Sequence, residues 1–261
     1  MSYAQAYIDD LNRSGRWYFT TGEARAALGV SGDGIRHALY RLQKKKLIAH
    51  PVRGFNVILK EKRYRNIGCL PAGIFIPGLM EHLGLDYYIG LLTAAKYHGA
   101  AHQAPQVFQV MVEKPRRPIR CGRVRVEFHV RKRLADIPVR MFETTSNVHR
   151  TSSAEATALD VVGYRLEVGG LYNVANIIKA MGGKIDPYLL VDVAGTAPVS
   201  WSQRLGYLME FLGHADRTGP LKDYVRERAN CVARLRPDLP LLPDYADDWQ
   251  LNINDVVDPD F

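Results

Sequence analysis

The sequence predicts an α+β protein: an N-terminal winged helix-turn-helix followed by a larger mixed α/β domain. Three observations lead there. The first 65 residues set helix signals, a tight turn and a hairpin pattern in the order of a winged helix. The same residues hold 13 Lys/Arg against 5 Asp/Glu, an excess equal to the whole net charge of +8. Beyond them the order is helix, several strands, then a run of helices, which suits an α+β domain better than a doubly wound sheet. At 261 residues the chain has room for two domains. The boundaries read from the sequence are 1–65, 66–240 and an acidic C-terminal tail at 241–261.

Tyr3, Ala6, Tyr7 and Leu11 recur at helical spacing, and Ser14-Gly15 closes that helix. Trp17-Tyr18-Phe19 is a short aromatic, β-prone stretch. Thr20-Thr21-Gly22-Glu23 forms a capping box that opens a second helix through Leu28. Gly29-Val30-Ser31 is a tight turn, and Ser31 caps a third helix to about Lys46. On that helix Ile35, Ala38, Leu39 and Leu42 make the apolar face, which leaves Asp33, His37, Tyr40, Arg41 and Lys44 outward with Arg36 and Lys45 beside them. Leu47 to Leu59 reads as two strands around Arg53-Gly54, a wing. A helix of this kind fits the major groove, and Arg and Lys read guanine edges or neutralise phosphate. The expected partner is double-stranded DNA, contacted by Ser31, Asp33, Arg36, His37, Tyr40, Arg41, Lys44, Lys45 and Arg53.

In the body of the chain, Asn66 to Pro71 has the composition of a junction, and Pro77-Gly78 reads as a break before a short helix at Leu79–Leu83. Asp86 is expected to cap a helix running to about His102. Strands are expected at Val107–Val112, Val124–Val130 and Ile137–Phe142, with a second capping box at Ser152–Glu155. Further helices are expected at Leu171–Met181, Asp186–Val193, Ser200–Gly213 and Leu221–Ala229. Residues 114–140 hold 10 Lys/Arg against 2 Asp/Glu, whereas residues 237–261 hold seven Asp and no Lys or Arg. A second basic surface is therefore expected from Arg116, Arg117, Arg120, Arg123, Arg125, Arg131, Lys132 and Arg133, with Arg123, Arg125 and Arg131 on one strand face. Its anionic partner is either DNA beyond the wing or an RNA or nucleotide.

No catalytic constellation emerges. Cys69, Cys121 and Cys231 are odd in number and far apart, without the spacing of a disulfide framework or a metal knuckle. His98 and His102 stand at i, i+4 but lack the glutamate of HExxH and a third ligand. Glycine-rich phosphate loops and GxSxG are absent. Glu155, Asp160 and Asp192 have no diagnostic spacing. No cofactor, metal or catalytic residue is expected. The apolar runs fall short of the ~20 residues of a membrane span, and the N-terminus has no signal-peptide pattern, so the reading is a cytoplasmic protein without a membrane partner. Two other function classes stay open on residues alone. One is a nucleic-acid-modifying enzyme such as a nuclease. The other is a transcription factor that senses a ligand among Tyr87, Tyr88 and Tyr97.

The stretch Tyr87-Tyr-Ile-Gly-Leu-Leu-Thr-Ala-Ala-Lys-Tyr-His-Gly-Ala-Ala-His-Gln-Ala-Pro-Gln-Val-Phe-Gln-Val110 closely resembles the signature of AbiEi-type antitoxins of type IV toxin–antitoxin systems. So do Leu79-Met80, Pro118-Ile119, Gly122-Arg123, Ser153-Ala-Glu155-Ala-Thr-Ala-Leu-Asp160, Gln203-Arg-Leu-Gly-Tyr-Leu208 and Trp249-Gln-Leu-Asn252. The resemblance implies a phage-resistance antitoxin without catalysis. Its winged helix would repress its own operon at operator DNA, expected as inverted repeats. Its C-terminal domain would counteract a nucleotidyltransferase-like toxin without a stable complex.

Overall fold

The computed structural model describes residues 3–100, 105–144 and 147–257. In chain order its elements are α1 (Tyr3–Arg13), β1 (Tyr18–Thr20), α2 (Thr21–Leu28), α3 (Gly32–Lys44), β2 (Ile48–Val52), β3 (Phe55–Ile58), α4 (Lys62–Ile67), α5 (Ala72–His82), β4 (Tyr88–Ile89) and α6 (Leu91–Tyr97). There follow β5 (Phe108–Val112), β6 (Ile119–Cys121), β7 (Val124–Val130), β8 (Val139–Glu143), β9 (Val148–Ser152), α7 (Ala154–Gly163), α8 (Leu171–Met181), α9 (Pro187–Ala194), α10 (Val199–Phe211), α11 (Gly219–Arg228), β10 (Ala233–Arg234), β11 (Tyr245–Ala246) and β12 (Leu251–Asn252). The fold is α+β. No described helix is long and apolar enough to cross a membrane.

The chain forms two compact units. The first takes residues up to Tyr87 together with Gln106–Val130 and Glu143–His149; the second takes Tyr88–Pro105, Arg131–Phe142 and Arg150 onward. The boundary read from the sequence at 65/66 therefore falls inside the first unit. The reason is a shared core. Phe55, Val57 and Leu59 of the wing region pack in one cluster with Phe75, Leu79, Val110, Ile119 and Val126.

The first unit begins as the sequence suggests. Ala4, Ile8, Phe19, Ala24, Ile35, Leu39, Leu42, Ile48 and Ile58 form the core of the helical part. The Thr20 hydroxyl accepts from Glu23 N at 3.1 Å while Glu23 Oε2 accepts from Thr20 N at 2.6 Å, a complete capping box. Strands β1, β3 and β2 pair in that order, with Thr20 opposite Phe55. Pro51 sits in β2, an edge strand, where its missing N–H costs no ladder bond.

Two details depart from the sequence reading. Pro77 does not break α5, which runs through it. Proline removes the donor that would have reached the Gly73 carbonyl four residues back. His149 Nε2 donates to that carbonyl instead at 2.9 Å, and Asn147 Nδ2 donates to Ile74 O at 3.1 Å. Asp86 caps no helix, because the chain passes through β4 and α6 starts after Gly90.

A ribbon of order β6-β7-β5 completes the first unit, with β6 antiparallel and β5 parallel to β7. Its turn at Gly122 rests on the end of α4. Gly122 has φ +56°, and a Cβ there would lie 2.2 Å from Ile67 O, the carbonyl that accepts from Arg123 N at 2.9 Å.

The second unit is mainly helical. Ile89 of β4 pairs in parallel with Thr151 of β9. Helix α7 is buried along nearly its whole length, and α8 to α10 pack around it. The described part of the acidic tail packs on the rest of the second unit. Residues 241–257 supply β11, β12 and Trp249, which is 1% exposed and fits over Gly206 of α10. Trp249 Nε1 donates to Glu210 Oε2 at 2.8 Å, and Lys222 bridges Glu210 and Asp248 at 2.8 and 2.9 Å. Asn252 and Asn254, both buried, donate to the carbonyls of Leu242, Asp244, Arg236, Leu239 and Pro240 and so staple the segment down.

The seam at Gly122 gives a stability test. Gly122→Ala should lose at least about 2 kcal/mol in urea denaturation, combining left-handed strain with a backbone clash. Gly15→Ala, at φ +78° with nothing nearby, should lose only the strain.

Candidate nucleic-acid interface

Helix α3 buries Ile35, Leu39 and Leu42 and exposes Arg36, His37, Tyr40, Arg41, Lys44 and Lys45. Ser31 is its N-cap and accepts from Gly34 N at 3.1 Å, so its hydroxyl oxygen is already committed to the helix. Asp33 is ion-paired with Arg36 on the exposed first turn, which occupies both residues with each other. Lys44 lies 5.5 Å over the Tyr40 ring. Between α3 and the wing runs a groove of about 390 Å³, lined by Arg36, Tyr40, Gln43, His50, Arg53 and Gly54 among others.

Behind the groove stands a polar set that sequence periodicity does not single out. His50 Nδ1 and Asn56 Oδ1 share a 2.6 Å hydrogen bond. Buried Asn56 donates from Nδ2 to Phe19 O and to Thr21 Oγ1, at 3.3 and 3.2 Å. The only clue in the sequence was polar Asn56 amid the apolar residues of β3.

Most arginines of the first unit fall into two groups, with Arg25 of α2 exposed and without an ion pair among the described residues. Arg13, Arg16, Arg36 and Arg63 are ion-paired with Asp10, Glu23, Asp33 and Glu61, and Arg65 donates to the carbonyls of Leu59 and Lys60. Arg41, Arg53, Arg116, Arg117, Arg120, Arg123 and Arg125 have no carboxylate partner among the described residues. They lie on α3, in the wing and on the ribbon, although Arg36 of α3 belongs to the paired group. Strand β2 of the wing packs beside β6. There Arg116, Arg117 and Arg120 line a groove of about 540 Å³ with Pro51, Val52, Pro115, Pro118 and Phe128 and no acidic side chain.

The second basic surface is therefore shorter than the sequence suggests. Arg131, Lys132 and Arg133 belong to the second unit. Lys132 is exposed, but Arg133 is tied to Asp136 Oδ2 and Gly195 O at 2.8 Å each. Arg131 is not on the surface at all. It is 3% exposed and paired with fully buried Asp160 at 2.9 Å. Its guanidinium also donates to Thr196 O at 2.8 Å and Thr196 Oγ1 at 2.9 Å, and lies 5.3 Å over Trp201. Asp160 accepts from Tyr88 Oη at 2.6 Å. Burial pushes the Asp160 carboxyl above the usual range against the pull of Arg131, and it pushes the Tyr88 hydroxyl well up. Strand alternation missed this because Arg131 is the first residue past β7, where period-2 reasoning no longer applies.

The other chemistry-bearing residues separate. His98 Nε2 shares a 2.8 Å hydrogen bond with Ser152 O and meets Phe142 edge-on; burial holds its pKa below the usual value. His102 lies outside the described residues. Among the described residues no group of three His, Cys, Asp or Glu could hold a metal ion. Asp160 is taken up by Arg131, which leaves Glu155 and Asp192 beside one cavity. Glu155 is no capping residue: Ser153 caps α7 by accepting from Ala156 N, and Ser152 Oγ bonds instead to Thr157 Oγ1.

The buried pair predicts a difference between two classes of arginine. Arg131→Met should leave Asp160 unpaired and lower unfolding free energy by about 3–5 kcal/mol. Arg125→Met, on the exposed ribbon, should change stability by less than about 0.5 kcal/mol. Urea denaturation of both variants checks this.

Comparison with known proteins cuts across the two units. Residues 88–211 match the family model of the AbiEi antitoxin C-terminal domain. No curated protein sequence matches the chain. The crystal structure of the RV2827C protein from Mycobacterium tuberculosis superposes with a TM-score of 0.70 at 15% identity, covering 95% of this chain and 90% of that one. That likeness is one of fold. Residues 88–211, which include the Tyr88–Asp160–Arg131 network, are thus similar to the C-terminal domain of AbiEi antitoxins.

Proposed function

We propose that this chain is an AbiEi-type antitoxin and the autorepressor of its own operon, and that it binds double-stranded operator DNA through the first unit. In this reading α3 enters the major groove, Arg53 of the wing meets the neighbouring backbone, and Arg116, Arg117 and Arg120 continue the phosphate track beyond the wing. The observation that carries it is the division of the arginines. Arg13, Arg16 and Arg63 are neutralised by carboxylates, whereas Arg41 of α3, Arg53 of the wing and Arg116, Arg117 and Arg120 of the ribbon are not. Arg36 of α3, paired with Asp33, and Arg25 of α2, unpaired among the described residues, are the exceptions. Like charges held this close repel, and at physiological salt screening acts only beyond ~8 Å. A polyanion relieves that repulsion and releases its own counterions on binding.

The region similar to the antitoxin domain, residues 88–211, counteracts a nucleotidyltransferase-like toxin in the cytoplasm without forming a stable complex with it. The role is one of binding and regulation rather than catalysis.

Two substitutions test the DNA assignment by electrophoretic mobility shift on the promoter of the operon. Arg41→Ala/Lys44→Ala should weaken binding, and a bidentate Arg41–guanine contact alone is worth about 1–3 kcal/mol. Unchanged affinity would remove α3 from the groove. Arg116→Ala/Arg117→Ala/Arg120→Ala should lower the salt slope of binding by about 0.9 for each phosphate that is no longer neutralised. Growth rescue from the toxin should survive in both variants. Failed rescue with an unchanged slope would instead assign the ribbon to the toxin's chemistry, through an RNA or nucleotide.

A further inference from the structure

We propose that the second unit holds a binding site for a small organic cation, an ammonium or guanidinium compound, in the cavity beside the N-terminus of α7. The cavity measures about 270 Å³, and its polar lining comes from Asp136, Arg140, Ser153, Glu155 and Asp192. Glu155 is the group that points to a ligand. It is 1% exposed. Its Oε1 accepts from Asp186 N at 3.0 Å, while its Oε2 is buried without a hydrogen-bond partner. A buried carboxylate oxygen left in this state is unfavourable, because it has given up water without receiving a donor in exchange.

Three other acidic groups of this unit have such donors. Asp160 has Arg131 and Tyr88, Asp136 has Arg133, and Glu210 has Lys222, Trp249 and Thr218. Glu155 is not explained as a cap either, since Ser153 performs that task.

The lining also fixes the sign of the guest. With Asp136 neutralised by Arg133, the remaining side chains are Glu155 and Asp192 against Arg140, a net negative charge. A guest with several N–H donors and a net positive charge satisfies Glu155 and offsets the negative excess of the cavity. Among the described residues no three ligands are grouped for a metal ion, whereas an organic cation brings its own N–H donors to the carboxylate. Pro138, Val139, Leu189 and Val193 form apolar walls that suit a methylene chain. Arg140 adds selectivity: a cation that also carries a carboxylate binds more tightly than one that lacks it.

Isothermal titration of the full chain with L-arginine and with agmatine, at matched ionic strength, tests the site. Saturable binding of both is expected, with L-arginine the tighter. Glu155→Gln keeps an oxygen for Asp186 N but replaces Oε2 by a donor, so it should weaken both ligands about tenfold or more. Arg140→Ala should remove only the preference for L-arginine. If Glu155→Gln fails to fold, Asp192→Asn on the exposed rim takes its place and should weaken both ligands. No saturable binding to the wild-type chain overturns the proposal. So does unchanged affinity in Glu155→Gln or, where that variant does not fold, in Asp192→Asn.

Discussion

The backbone contact at Gly122 determines what the first unit can present to a polyanion. Residues 106–130 are distant in sequence from the winged helix, yet they share its core because the β6–β7 turn lies directly on the end of α4. Only a residue without a Cβ fits there, and Arg123 N seals the contact by donating to Ile67 O. The ribbon is thereby fixed beside β2, which places Arg116, Arg117 and Arg120 next to the wing. A winged helix alone offers α3 and Arg53. With the ribbon docked, the same unit offers a longer unpaired basic surface, and each further phosphate it neutralises steepens the salt dependence of binding.

The second unit solves a different electrostatic problem. Its arginine at position 131 is sunk in the interior, where it needs a full set of partners: Asp160, both oxygens of Thr196 and the face of Trp201. These partners come from α7, α10 and the end of α9, so the network fixes the mutual placement of the helices around α7. Such a buried pair is weak grounds for added stability, yet breaking one side of it is costly. The same helix carries Glu155 on its first turn, where no such set of partners has formed.

Much of the first unit was legible in the sequence because its signals are local. The Thr20–Glu23 box, the Ser31 cap, the apolar face of α3 and the Gly54 turn each depend on residues within one or two turns. What escaped was decided at long range. Pro77 reads as a break until His149, far along the chain, satisfies the carbonyl it orphans. Arg131 reads as one of a run of surface charges until Asp160 and Thr196 close around it. The acidic tail is marked in the sequence by its charge alone, which does not say what it packs against. Yet Trp249, Asn252 and Asn254 hold it down through contacts no spacing rule encodes. The Ser152–Glu155 box fails by one residue: once Ser153 is the cap, the glutamate falls a position short of the N3 site.

Hydrogen exchange by mass spectrometry on the free chain and on its complex with promoter DNA tests the central claim most directly. The account predicts slowed exchange in three segments at once: α3, the wing around Arg53, and the ribbon from Arg116 to Arg125. Protection of α3 and the wing with no change across the ribbon would contradict a continuous basic surface. An unchanged α3 would contradict the DNA reading itself.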